Sequence, residues 1–541
     1  MKYLVLIIFI SILPLMTIFS TPDLIHTHDG LVHLPRMAAY FKMLADGQIP
    51  IRWAADLNHG YGMPLFNFIY QLPYLISSLF LFAGAGLVTS FKLTLSLSFV
   101  LSGICMFLFT KAFFVDDKKA LLATVFYQFA PFRLIEVIQR GSFGEVYTYV
   151  FLPLVLFGLT MLWKKHSYRY FFLTAIATAL LILSHNSVSL LFFLLSAAFI
   201  IFFARGKKDG IAGGLALFGG LLLSMFYWFP AIFDHKYTYG DLHMKTLYLE
   251  HFAPVGNILI PNITNAQNLH TGGISVQIGL FHLLATIVVL GLLVAKKMDA
   301  WSKRLAMYCL LPIGMSFFFM LPVSKPFWEN ISFLRQFQFP WRFLSLIVFA
   351  TSLLSVYFLT LGFLAKKYIL YGFMILVIAS TGFFWKAQEG FDSIDEAYYW
   401  DFPLTTTYYG ETDVIWSAGP AASYPQNPVE LSAGQADITG FKKQSARQEF
   451  TVEAKTDAWV VSHTQYFPGW RAYVDGNSVP IEFQNPNWRG MITFPVLPGT
   501  HRVKLAFEET KPRLVADGIS LGTFVVLLFF FMRAGKKRYA K

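Results

Sequence analysis

The chain has 541 residues, of which 56% are hydrophobic and only 14% charged, where soluble globular domains carry roughly a quarter charged residues. That composition excludes a soluble globular protein and defines one that crosses a membrane several times. The net charge of +12 is dispersed as short basic clusters between apolar runs, so it reports membrane orientation and excludes a nucleic-acid partner as its cause.

In chain order, residues 1–20 join a basic start to an apolar core. Ile18 breaks the small-x-small pattern a cleavage site needs, so the segment reads as an uncleaved anchor rather than a signal peptide. Apolar runs of spanning length lie at 3–20, 91–113, 119–135, 148–163, 170–184, 188–204, 211–230, 276–295, 304–322, 341–362, 368–385 and 517–532. With Lys2 in the cytoplasm, this order places Asp116-Asp117-Lys118-Lys119, Lys164-Lys165, Arg205-Lys207-Lys208, Lys296-Lys297, Lys366-Lys367 and Arg533-Lys536-Lys537-Arg538 on the cytoplasmic side. Residues 72–88 are apolar enough to span, but admitting them alone inverts every later cluster. They read as an interfacial or re-entrant piece.

The expectation is a polytopic α-helical membrane protein with about 12–13 membrane helices in all, its transmembrane domain with outer loops covering 1–385. A C-terminal extracytoplasmic β-sandwich follows over 386–515, then a final transmembrane helix and basic tail over 516–541. Strand-like alternation at 449–454 and 459–463, an Asp475-Gly476 hairpin turn and a second turn at Pro498-Gly499 support the sandwich. Cys105 and Cys309 lie in apolar runs outside any metal-spaced pair, so no disulfide framework or zinc ribbon is implied.

The conspicuous polar residues fall in the loops of one side. The stretch 27–67 holds Asp29, His33, Arg36, Asp56 and His59. Asp29 at the water boundary suits a base that takes a proton from an acceptor hydroxyl or a group that steadies a metal, although an N-cap for a helix over 31–44 is the commoner use of such an Asp. His26, His28, His33 and His59 with Asp29 and Asp56 have the donor types for a divalent metal, without a diagnostic spacing; solvated loop histidines are the competing reading. Arg140 and Glu145 flank a Gly-containing turn after Ala130-Pro131-Phe132-Arg133, suited to phosphate binding and acid–base support, or else to lipid snorkelling and a helix start. Ser184-His185-Asn186 forms a short turn, either a headgroup or substrate contact or a plain polar turn. Arg335-Gln336-Phe337-Gln338-Phe339-Pro340-Trp341-Arg342 reads as a lipid-phosphate or sugar site, or as an interface belt. Tyr466-Phe467-Pro468-Gly469-Trp470 offers rings for sugar stacking or for a core.

The order HDGLVHLPRMAAY, Gly-Tyr-Gly-Met-Pro with FNFIYQLPYLIS, YQFAPFRLIEVIQRGSFGE and QFPWR resembles bacterial membrane proteins of the GT-C glycosyltransferase superfamily. The nearest group is the multispanning "6-pyruvoyl-tetrahydropterin synthase-related" proteins, and FPGWRAYVDG with PGTHRVKLAF is similar to an outer β domain of GT-C-like proteins. The resemblance implies a glycosyltransferase of the bacterial plasma membrane, with both termini cytoplasmic and its active site and β domain outside. It would move a sugar from a polyprenyl-phosphate-linked donor to a cell-envelope glycan or polymer acceptor. Asp29 and Glu145 take the catalytic positions; His33, Asp56, His59, Arg140, His185, Asn186, Arg335, Gln338 and Arg342 are substrate-binding candidates. The chain lacks the Asp-x-Asp or Asp-Glu pair common in GT-C enzymes, so no metal ligands are assigned, although a divalent metal stays compatible. The zinc-binding histidines of the soluble pterin enzyme have no counterpart. A non-catalytic binding or export component for lipid-linked glycans is the alternative. Near-absence of charge in the central parts of the apolar runs counts against transport.

Overall fold

A computed structural model describes residues 2–261, 274–402, 410, 412–417 and 419–539. Parts of the expected 231–275 and 386–515 loops, namely 262–273, 403–409, 411 and 418, lie outside the described residues.

Each of the twelve apolar runs folds as helix, the element that satisfies every backbone polar group without water. Among the described residues, six helices are long and apolar enough to cross a membrane, or eight if each of two bent pairs counts as one span. Five shorter apolar helices accompany them, including Leu72–Phe82. Its 11 residues rise about 16 Å at ~1.5 Å per residue, roughly half the ~30 Å hydrocarbon core. That length suits the interfacial or re-entrant reading of 72–88.

The first bent pair positions the site. Asp117–Gln128 runs into Pro131–Gln139 at 54°. Pro131 supplies no N–H and forces the residue before it out of helical conformation, and Ala130 is extended accordingly. The chain then widens into a π-turn over Ile135–Gln139. At Gly141 it turns with φ +63°, and a Cβ there would sit 2.5 Å from Thr27 Oγ1. Only glycine allows the first loop to lie this close to the turn that precedes Glu145–Lys165.

Eight strands form the sandwich: β1 Val429–Ala433, β2 Ala436–Gln444, β3 Arg447–Ala454, β4 Ala458–Gln465, β5 Trp470–Val474, β6 Asn477–Val479, β7 Met491–Val496 and β8 Gly499–Phe507. One antiparallel sheet has the order β2-β3-β8-β5-β6, the other β1-β4-β7. Asp475 and Gly476 both take positive φ and close the β5–β6 hairpin, as two-residue turns of this type require. The Pro498-Gly499 turn instead carries the chain from one sheet to the other.

The sandwich core, built on Phe450, Val460, Phe494 and Leu505, also takes in Trp53, Ala55 and Phe68 from the first loop. Trp53 is fully buried against Trp470 and Phe507, with centroids 5.5 Å away in both cases. Truncating such a ring costs about 3–5 kcal/mol. Phe467 and Trp470 are therefore core residues, and Tyr466 lies flat on Phe483 at 3.8 Å. The sugar-stacking reading of this segment is corrected by that packing.

Arg52, 1% exposed, binds Glu509 at 2.6 Å, Asp517 at 2.7 Å, Asn67 at 3.3 Å and the Phe226 carbonyl at 3.1 Å. Arg513 binds Asp234 at 2.8 Å, which also accepts from Asn67. This network joins the first loop, the helix Met225–Phe233 and the final helix Lys511–Tyr539. A two-residue ladder, Leu24–Ile25 against Phe391–Asp392, adds a second tie, beside which His26 bridges Asp392 and Glu389.

Candidate functional site

At the end of the π-turn, Glu136 and Arg140 stand four residues apart, and Arg140 Nη1 donates to both Glu136 oxygens at 2.7 and 2.9 Å. The same Nη1 lies 3.2 Å from Glu145 Oε1. Arg342 enters from the QFPWR segment, its Nε 2.9 Å from that Glu145 oxygen and its Nη1 on the Phe337 carbonyl and Gln338 Oε1. Gln338 has φ +61°, which turns its amide back toward Arg342. The guanidinium groups of Arg140 and Arg342 stack on Trp341 and Phe339, each at 4.6 Å, and those two rings lie parallel at 4.9 Å. His251 closes on Phe339 edge-on at 4.6 Å.

Glu136 and Glu145 are fully buried. Buried charge is costly unless paired, and the pairs here leave a pattern of unspent groups. Among the described residues, Glu145 Oε2 has no hydrogen-bond partner. Arg140 and Arg342 spend their hydrogen bonds through Nη1 and through Nε and Nη1, respectively. The Nη2 groups make none among the described residues, that of Arg140 standing 3.5 Å from Asp29.

Asp29 sits at the N-cap position of Gly30–Ala45 but makes no capping bond; Thr27 Oγ1 accepts from Gly30 N at 3.0 Å instead. The cap reading of Asp29 gives way to a carboxylate 29% exposed beside Arg140. Its backbone is pinned, the N–H donating to the Arg140 carbonyl at 3.0 Å.

His185 Nδ1 accepts from Val188 N at 3.2 Å, which leaves Nε2 facing Glu145 Oε1 at 3.6 Å. Burial holds its pKa down at about 3 despite the pull of Glu145, so the ring is a neutral N–H donor. His33 is likewise held well below the usual range, by burial and by Arg36 and Arg140. Its Nδ1 meets Tyr74 Oη at 2.9 Å and its ring stacks on Phe143 at 4.9 Å, forming a wall of the site.

The structure thus brings Asp29, Glu145, Arg140, His185, Gln338 and Arg342 together, with His33 behind them. It places others elsewhere. Asn186 donates to the Phe68 carbonyl and accepts from Tyr227. Arg335 is tied to the Trp328 and Glu329 carbonyls of its own turn. Asp56 pairs with Lys42 at 2.7 Å, and His59 packs edge-on against Tyr424; both Asp56 and Tyr424 line a cleft that none of Asp29, Arg140, Glu145 or Arg342 lines. Glu136 escaped the sequence reading; its i,i+4 spacing from Arg140 is the signal that marks it. Among the described residues no three His, Cys, Asp or Glu side chains converge as metal ligands. His26 faces Asp392 and Glu389, and Glu136 and Glu145 face guanidinium groups. A carboxylate set already neutralised by arginine does not fit a divalent ion.

Fold and site define a polytopic helical membrane protein with a buried Arg–carboxylate centre and a β-sandwich welded to its first loop. More specifically, the chain belongs to the 6-pyruvoyl-tetrahydropterin synthase related domain family of membrane proteins, whose model matches residues 66–389. A protein of Lactococcus lactis subsp. cremoris is 25% identical over 246 residues, 43% of this chain and 40% of that protein. Among solved structures, the mycobacterial arabinofuranosyltransferase AftD is similar with TM-score 0.44 and 18% identity, over 73% of this chain and 28% of that one. The Archaeoglobus fulgidus oligosaccharyltransferase is similar with TM-score 0.44 and 13% identity, over 77% of this chain and 59% of that one. The chain spans less than two thirds of the length of each.

Proposed function

We propose that this chain is a membrane glycosyltransferase that moves a sugar from a polyprenyl-phosphate-linked donor to an acceptor hydroxyl at the extracytoplasmic face. The motif order that resembles GT-C proteins supplies the class. The observation that carries the roles is the pair of buried, ring-stacked guanidinium groups, Arg140 and Arg342, which meet at Glu145, with the partly exposed Asp29 3.5 Å from Arg140 Nη2.

In this reading the two arginines hold the lipid phosphate, since charge-assisted guanidinium–phosphate bonds are strong and directional. The acceptor oxygen bonds to the anomeric carbon as the bond from that carbon to the phosphate oxygen breaks. The electron pair leaves with the lipid phosphate, the developing charge being met by Arg140 and Arg342. Asp29 takes the hydroxyl proton, and the anomeric configuration inverts. Glu145, fully buried, and Glu136 act as positioning residues that fix the two arginines; this reassigns Glu145 from the catalytic role expected of it. No step passes through a metal.

The test uses the protein in lipid nanodiscs with radiolabelled polyprenyl-phosphate hexose. Asp29→Asn is expected to bind the donor like wild type and to lose transfer by about 10²–10⁴-fold. Transfer at the wild-type rate in Asp29→Asn would sink the assignment of the base. Donor binding without turnover in the wild type would point to the binding or export component instead.

A further inference from the structure

The first loop and the β-sandwich enclose a second cleft, of about 370 Å³, between Lys42, Asp56 and Gly60 on one side and β2, β3 and β4 on the other. We infer that this cleft is a binding site for an uncharged glycan chain, separate from the arginine cluster. The inference does not depend on the transferase reading.

A rigid, open ring comes first. Tyr424 is 46% exposed, yet its single hydroxyl donor lies between the carbonyls of Asp401 and Phe402, both within hydrogen-bond distance. Its ring edge lies 3.4 Å from where a Cβ on Gly60 would be, and His59 meets it edge-on at 5.2 Å. An exposed tyrosine normally gives up this much order only for a reason, because fixing a side chain costs entropy. Here the flat face is pre-set for the C–H face of a sugar ring, and pre-organisation of this kind lowers the cost of binding. Trp400 and Phe441 extend the apolar lining.

The polar groups are equally fixed. Lys443 donates to the Ala55 and Gly60 carbonyls at 3.0 and 2.8 Å, two of the three donors an ammonium has. Asp56 and Lys42 form an ion pair at 2.7 Å. Gln448 is oriented by Thr464 at 2.6 Å and Ser462 at 2.8 Å. The charged lining is two lysines, Lys42 and Lys443, against two aspartates, Asp56 and Asp401, so the cleft selects neither anions nor cations. A neutral ligand that offers hydroxyls at its edge and apolar C–H at its faces matches this lining; a lipid phosphate does not.

The cleft is built from segments some 400 residues apart in sequence, as the Lys443 to Ala55 bond across 388 positions shows. Its test therefore uses the full chain. Calorimetric titration of the protein in nanodiscs would employ maltohexaose, mannohexaose and chitohexaose as probes. At least one is expected to bind saturably, with Tyr424→Ala weakening it about tenfold or more and Tyr424→Phe, which keeps the ring, weakening it less. Asp56→Asn supplies an independent variant should Tyr424→Ala fail to fold, and is expected to weaken binding too. Polyprenyl phosphate binding should be unchanged in all three, which separates this site from the arginine cluster. The inference is overturned if none of the three probes binds the wild type, or if both Tyr424→Ala and Asp56→Asn bind as tightly as wild type.

Discussion

Two buried ion networks in this protein use the same residue types to different ends. Around Arg52, all three guanidinium nitrogens meet protein partners: Glu509, Asn67 with the Phe226 carbonyl, and Asp517. Around Arg140 and Arg342, the arginines share Glu145, and each keeps an Nη2 without a hydrogen bond among the described residues. The Arg52 guanidinium is saturated and ties the first loop to the helix Met225–Phe233 and to the final helix with the residues leading into it. The second network is held by its own carboxylates, and the proposed phosphate site rests on it. Unpartnered guanidinium nitrogens alone do not set the second network apart, since Arg133 and Arg513 carry them as well; what sets it apart is two ring-stacked guanidinium groups meeting at one carboxylate beside the partly exposed Asp29.

The comparison can be broken most forcefully at Arg52. Arg52→Ala strands Glu509 and Asp517, and breaking a buried pair costs about 3–5 kcal/mol; the expected result is a marked fall in melting temperature, with donor affinity of the surviving folded protein unchanged. A change in affinity at constant stability would erase the distinction between the networks. Arg342→Lys keeps the charge but loses the fork. Donor binding is expected to weaken by about tenfold to a hundredfold, the ~1.5–3 kcal/mol of a charge-assisted bond, while the melting temperature moves little. Binding isotherms and thermal scans on one preparation would decide this.

The smallest effect belongs to pH. The hydrogen bond that His26 donates to Asp392, with help from Glu389, raises the His26 pKa above its ordinary value. A raised folded-state value means that the pair stabilises the protein fully below the ordinary histidine pKa of ~6.5 and ceases to do so as pH rises through the higher folded value. Because His26 is more than a third exposed, solvent screening keeps the contribution small. Melting temperatures from pH 6 to 9 should fall slightly more for wild type than for His26→Asn; identical slopes would remove His26 from the tie between 24–25 and 391–392.

The helices were legible because a bilayer demands long uncharged runs, and 341–362 and 188–204 could be little else. The Asp475-Gly476 hairpin was legible because few other residue pairs tolerate positive φ twice. Arg140, Arg342 and Glu145 were visible as charges beside helix breaks. Glu136 was not, since a lone acid in RLIEVIQ reads as an interruption until Pro131 and the π-turn aim it at Arg140. Asp29 does hold the N-cap position of Gly30–Ala45, but the bond to Gly30 N comes from Thr27, out of a loop conformation that local sequence does not encode. Asp56 and His59 shared a polar stretch with Asp29, yet the packing of Trp53 into the sandwich draws that part of the loop to a different cleft.

The Arg52–Asp517 pair spans 465 residues. At ~5–20 residues per second, a ribosome needs roughly half a minute or more to travel from one partner to the other. Phe507 and Glu509 come only shortly before Asp517, so the first loop exists for most of synthesis before Trp53 has its full core to enter and Arg52 a counter-charge to meet. The loop that begins the chain's polar side is therefore among the first segments made and among the last to be locked.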